Sequence, residues 1–411
     1  MAADYSFSGE SSTLFLMRTT IDKKNIFPAY EYLRLNMTNN LSDGSGVSFY
    51  LGAWGRADLA DKTTDKYTNE DLQYAYLSYK ASKNNTIVNV GRQFVTEGVA
   101  AERIDGLYLR NDFKYGIGAA AFFGHTVITE PNSQPIYQGG ALVYGTRISQ
   151  TDKKYYTVGL SALKSERENN SPYREEEGVD IWLRPHQQVD VTGRSTYNSI
   201  TNGWMEHSYA LSTNPLEQLR IVADFSQINY RDYLFNMTTS ALSFANRLID
   251  PNEKLIATGV ILSYSPIKNL TVSADYKYHD YEIAKNANYY GVKAAYSFPD
   301  SISAGFGVHR MDGKTGRLRY TEYRAYASKR IGVVNVSADF TNVGYDAQIN
   351  GVKNSFAITG SAGYKFNEKL KIGADLEYSQ SPDFDNEVRG LLKVTYAFDT
   401  RRGEGGDKHE K

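Results

Sequence analysis

Catalysis and metal binding need side chains set at useful spacings, and this sequence offers few. The histidines are His125, His186, His207, His279, His309 and His409, and none forms an H-E-x-x-H pair or stands beside a second metal ligand. There is no G-x-x-x-x-G-K-[ST] loop to cradle a phosphate and no G-x-S-x-G turn to expose a nucleophile. The chain has no cysteine, which excludes disulfides, thiolate metal sites and covalent haem attachment. The sequence therefore reads as a non-enzyme that binds no cofactor or metal of its own.

What it does place regularly is charge. Arg34, Asp180, Arg184, Arg220, Asp224, Asp275, Lys277, Lys293, Asp339, Lys371, Asp375, Glu377, Arg389 and Lys393 all alternate with apolar neighbours. Leu370, Ile372, Ala374, Leu376 and Tyr378, for example, interleave with Lys371, Gly373, Asp375, Glu377 and Ser379. Successive side chains of a strand point to opposite faces, so each such segment has one apolar and one polar face. If the apolar faces meet lipid, these fourteen residues line a pore. Taken singly, each is more simply a cross-strand ion pair. Both signs are mixed, so neither strong anion nor strong cation selectivity is indicated.

The elements that would carry this pattern are long strands. The alternating segments run for about 10–14 residues, against about 5–6 for an ordinary soluble strand and about 9–11 for one that crosses a membrane. No window reaches the ~18–20 apolar residues of a membrane helix; the apolar stretch at 116–124 is about half that length. Only helices and closed barrels satisfy every backbone group in lipid. Tyr is abundant, with 33 copies, and aromatic pairs such as Tyr276–Tyr278, Tyr364–Phe366 and Tyr396–Phe398 stand at the ends of apolar faces, as an interfacial girdle requires.

Connectors supply a second line of argument. Short turns near 82–86, 111–115, 150–154, 185–188, 213–217, 265–269, 298–301, 329–332 and 366–369, with a longer one at 39–46, alternate with long polar connectors. The long ones lie near 20–27, 56–70, 96–105, 126–138, 165–177, 196–203, 229–254, 280–288, 312–318, 344–353 and 380–387. Outer-membrane barrels show this rhythm. It predicts an all-β, up-and-down antiparallel transmembrane barrel of about 22 strands, or about 18–20 if the weak segments near 105–125 and 175–200 merge. A soluble all-β binding protein stays open as an alternative, and detergent-free solubility separates the two.

Residues 1–398 are read as one barrel and 399–411 as a disordered, charged tail. The opening residues read as a mature start behind an added Met, with a secretion signal removed, of a chain bound for a bacterial outer membrane. With 46 basic and 47 acidic residues it has no basic excess with which to meet nucleic acid. The connector 229–254 is unusually apolar, and its Tyr233, Phe235, Leu242 and Phe244 suggest a segment that folds inward, docks a partner, or packs on the rim.

Two stretches carry a resemblance: GESSTLFLMRTTIDKKNIFPAYEYLRLNM at 9–37 and VGRQFVTEGVAAERIDGLYLR at 90–110. They resemble the outer-membrane channels of Geobacter-like bacteria, including the barrels of porin–cytochrome conduits. The final VTYAF resembles the aromatic-ended closing strand of such barrels, although here a tail follows it. The resemblance implies an outer-membrane channel that sheathes a multihaem cytochrome for extracellular electron transfer, with haem on the partner. A stand-alone diffusion porin for small hydrophilic solutes or ions is the alternative. No residue roles carry over.

Overall fold

The computed structural model describes residues 4–19, 24–41, 43–63, 66–82, 85–127, 141–166, 172–235, 250 and 252–400. Twenty-two strands form the wall. They are β1 (Asp4–Thr19), β2 (Pro28–Asn40), β3 (Gly46–Asp58), β4 (Thr68–Lys80), β5 (Ile87–Glu97), β6 (Ala100–Asp112), β7 (Ile117–Thr126), β8 (Leu142–Asp152), β9 (Tyr156–Glu166), β10 (Pro172–His186) and β11 (Val189–Asn198). The second half is β12 (Gly203–Leu216), β13 (Leu219–Asn229), β14 (Lys254–Ile267), β15 (Leu270–Tyr281), β16 (Lys285–Phe298), β17 (Ile302–Gly313), β18 (Arg319–Ile331), β19 (Val334–Ile349), β20 (Val352–Lys365), β21 (Leu370–Ser381) and β22 (Phe384–Asp399).

Each strand pairs antiparallel with the next, and β1 closes on β22 from Ser8 opposite Asp399 to Met17 opposite Gly390. Closure removes the sheet edges, which lipid cannot solvate. The outer face is apolar and bare: Leu160 is 62% exposed and Ile148 and Leu376 are each 58% exposed. So large an apolar surface is stable only against hydrocarbon. Beside the short turns, Tyr364 and Phe366 lie 4.4 Å apart, Tyr296 and Phe298 4.5 Å, and Phe7 and Phe398 5.2 Å, forming one aromatic girdle.

The short turns fall where the spacing predicts, and the weak segments do not merge. The long connectors need correction. Those expected at 96–105, 280–288, 344–353 and 380–387 are strand hairpins that turn at 98–99, 282–284, 350–351 and 382–383. Polar residues beyond the lipid layer pair as strand as readily as apolar ones within it. The alternation of lengths therefore lies largely in how far strands project. The expectation of a disordered tail falls mostly on residues 401–411, outside the described residues.

Candidate functional site: a constricted lumen

The wall opens between β4 and β5. These two strands pair only from Ala75 opposite Arg92 to Lys80 opposite Ile87. β5 and β6 stay paired much further, to Glu97 opposite Ala100. On the other side, pairing of β6 with β7 ends at Ile104 opposite Thr126. The end of the β5–β6 hairpin thus leaves the wall and folds inward. Gly91 makes the bend: its φ is +125°, and a Cβ there would stand 2.4 Å from the Ala75 carbonyl oxygen. At the tip, Gly98 has φ +60° and packs on Ser161 of β9, whose Oγ accepts a hydrogen bond from the Val99 N–H at 3.0 Å.

Two kinds of contact hold the hairpin down. The first is apolar. Val95, Ala100 and Ile104 pack with Phe122, Val143 and Leu163 of β7, β8 and β9, all nearly inaccessible. Burying a large apolar side chain is worth about 1.5–3 kcal/mol.

The second is ionic. Arg174 of β10 bonds Glu102 near the tip and also grips Glu176, with Nε–Oε1 2.6 Å and Nη2–Oε2 2.7 Å. Arg103 donates to Asp71 of β4 at 2.6 Å, and Arg92 to Asp105 at 2.7 Å. Under the tip, Glu97 accepts from Tyr108 Oη at 2.6 Å and lies 3.4 Å from Arg110 and 3.9 Å from Arg147. Arg147 then clasps Asp180 through two bonds of 3.1 and 2.6 Å. β6 and β10 are four strands apart, so the Arg174–Glu102 bond crosses the interior and fixes which face is inner.

The ladder register carries that face around the barrel, and all fourteen charged residues predicted from alternation stand on it. Several meet partners. Asp224 and Lys277 bridge at 2.9 Å across Gly259, the residue between them in the ladder. Asp275 bonds His309 at 3.0 Å across Gly291 in the same way. Arg184 pairs with Asp190 at 2.8 Å, Arg389 lies 3.7 Å from Glu377, and Arg220 donates to Ser212 at 3.3 Å. Asp275, Lys293 and Asp339 come together with His309, Arg324 and Tyr326 in a recess of about 570 Å³. Arg34 lines a second recess with Glu10 and Asn36. Lys371, Asp375 and Lys393 share the inner face without joining either recess.

A sequence profile of the Gram-negative porins matches residues 192–401. The chain belongs to that family. A search of curated proteins finds no match to this porin. Among solved structures, a mutant of the ferric enterobactin receptor PfeA from Pseudomonas aeruginosa is similar at 10% identity and a TM-score of 0.59, over 95% of this chain and 80% of that one. Acinetobacter baumannii OccAB4 is similar at 11% identity and a TM-score of 0.49, over 96% of this chain and 98% of that one. Identities this low speak for the barrel fold alone. This porin is an outer-membrane channel of the bacterial envelope, and not an enzyme.

Among the described residues the inward segment is the β5–β6 hairpin, and most of 229–254, to which apolar composition pointed, lies outside them. Of the residues singled out in 229–254, Tyr233 ends a one-turn helix, α1 (Tyr230–Tyr233), and Phe235 follows it. That turn is pinned to the rim by Asp232, which is fully buried, accepts from Asn229 Nδ2 at 2.5 Å, and offers its carbonyl to Asn198 of β11. Leu242 and Phe244 lie outside the described residues. Sequence reasoning missed Glu97, Glu102, Arg103, Arg147 and Arg174. The available signal was two glycines, Gly91 at the bend and Gly98 at the tip, in a charge-rich strand pair.

Proposed function

We propose that this porin is a diffusion channel for small hydrophilic solutes, with the β5–β6 hairpin as its constriction. The carrying observation is the Arg174–Glu102 bond, which anchors the hairpin across the interior. Barrels of ~16–18 strands leave an aqueous channel, and ~22-stranded ones are normally plugged. Here the chain supplies a partial filling from its own wall. The fourteen inner-face charges then line the aqueous path, with mixed signs that pass solutes of either charge. Liposome swelling with neutral sugars of rising size tests this. A sharp size limit supports a hairpin-bounded channel, and no swelling with any sugar refutes it.

The width supports a second reading. Twenty-two strands enclose a lumen broad enough to hold a partner, and the resemblance at 9–37 and 90–110 supplies a multihaem cytochrome as that partner. The haem would be the partner's, with contacts on the periplasmic and extracellular sides. Haem protein co-purifying from native membranes favours this reading, and a barrel that is always haem-free removes it. The inward hairpin takes up room such a partner needs, which favours diffusion.

A further inference from the structure

The inner faces of β2, β3 and β4 carry aromatic rings where water needs none. Tyr30 and Tyr32, Tyr50 and Trp54, and Tyr74 and Tyr76 all stand on the face that holds Arg34 and Asp71. The rings form two near-continuous runs. Tyr30 lies 6.0 Å from Tyr32 and 6.1 Å from Trp54; Tyr76 lies 5.0 Å from Tyr50 and 6.2 Å from Tyr74. Tyr74 joins the runs, because its ring lies over Gly52, the residue between Tyr50 and Trp54 on their face; a Cβ there would stand 2.3 Å from it. Tyr30 and the level of Tyr50 are six ladder positions apart, or about 20 Å at ~3.3 Å per residue.

These six rings do not make a core. All are partly exposed, while the lipid-facing sides of the same strands already carry Leu33, Met37, Val47 and Leu77. A partly exposed aromatic stripe on a wet wall marks a binding surface. Each ring pairs an apolar face with a hydroxyl or indole N–H, and the stripe is flanked by Arg34, Asn36 and Asp71. An acyl chain would strip water from Arg34 and Asn36 and offer them no partner. A sugar chain suits both halves: the C–H face of each pyranose stacks on a ring, and its hydroxyl edge reaches the polar flank.

We propose that β2–β4 form a track for oligosaccharides entering the channel. The proposal rests on the channel reading above, and its test separates the two. Purified protein in planar bilayers is titrated with maltohexaose, cellohexaose, and a polyethylene glycol of matching size that cannot stack. The expected result is saturable block by at least one hexasaccharide and none by the polymer. Half-saturation then rises about tenfold or more in Trp54→Ala and Tyr74→Ala. It stays within about threefold in Trp54→Phe and Tyr74→Phe, which keep a ring, and is unchanged in the lipid-facing control Tyr79→Ala. A conducting wild type that neither sugar blocks, equal block by the polymer, or unaltered block in both alanine variants overturns the track and leaves the channel standing. A wild type that never conducts overturns both.

Discussion

Arg174 of β10 crosses the interior to Glu102 of β6 while its other guanidinium edge holds Glu176 of its own strand. One cation therefore neutralises two carboxylates, and the three side chains are at most 9% exposed. The two ends of this bond are not equivalent, which makes its contribution measurable.

Arg174→Ala leaves two buried carboxylates facing each other without a cation. Breaking a buried ion pair from one side costs about 3–5 kcal/mol. Glu102→Ala leaves Arg174 still paired with Glu176 and costs less. Hydrogen exchange of the 93–103 amides should accelerate strongly in the first variant and modestly in the second. No acceleration in either variant would mean the pair is not what holds the hairpin.

Gly91 permits the inward bend. Any side chain there meets the Ala75 carbonyl oxygen and adopts a backbone conformation that L residues avoid, at about 1–3 kcal/mol. Gly91→Val should lower the yield of heat-modifiable, folded barrel, whereas Gly360→Ala, at a position with open space around it, should not. Normal folding of Gly91→Val would contradict the bend.

The outer face is assigned to lipid. Leu160→Arg puts a charge on that face and should cost about 2–4 kcal/mol near the bilayer midplane, read as reduced folding stability in lipid vesicles. Arginine at Ser149, on the inner face of β8, should cost less. The opposite order would invert the two faces.

At the rim, Arg317 donates to Asp383 at 2.9 Å and holds its carboxyl below the usual carboxylate range. A depressed folded-state value means the contact stabilises above the ordinary carboxylate pKa and is lost as pH falls through the lowered one. Amide protection factors around residues 381–384, which divide out the intrinsic pH dependence of exchange, should therefore be high at neutral pH and fall in acid. In Asp383→Asn they should be low and level with pH, and identical protection profiles for the two proteins would dismiss the contact.

Most of the wall was legible because period two is a local property. Leu376 and Glu377 show it in adjacent positions: one faces lipid at 58% exposed, and the other turns in toward Arg389. Strand ends were less legible. Ile349–Val352 continues as hairpin in water, where polarity marks the end of lipid and not the end of pairing. The constriction was least legible of all. Residues 96–105 read as one more polar connector, and what bends the hairpin inward is the conformation at Gly91 and a bond between residues 72 positions apart. Local pattern carries neither.

Single-channel conductance in planar bilayers tests the central claim most directly. The comparison is between the native protein and a variant in which residues 95–102 are replaced by a two-residue Asn-Gly turn, which suits a tight hairpin. A hairpin that constricts the lumen predicts stable steps in both proteins and clearly larger ones in the variant. Equal conductance in the two, or none in the native protein, would contradict it.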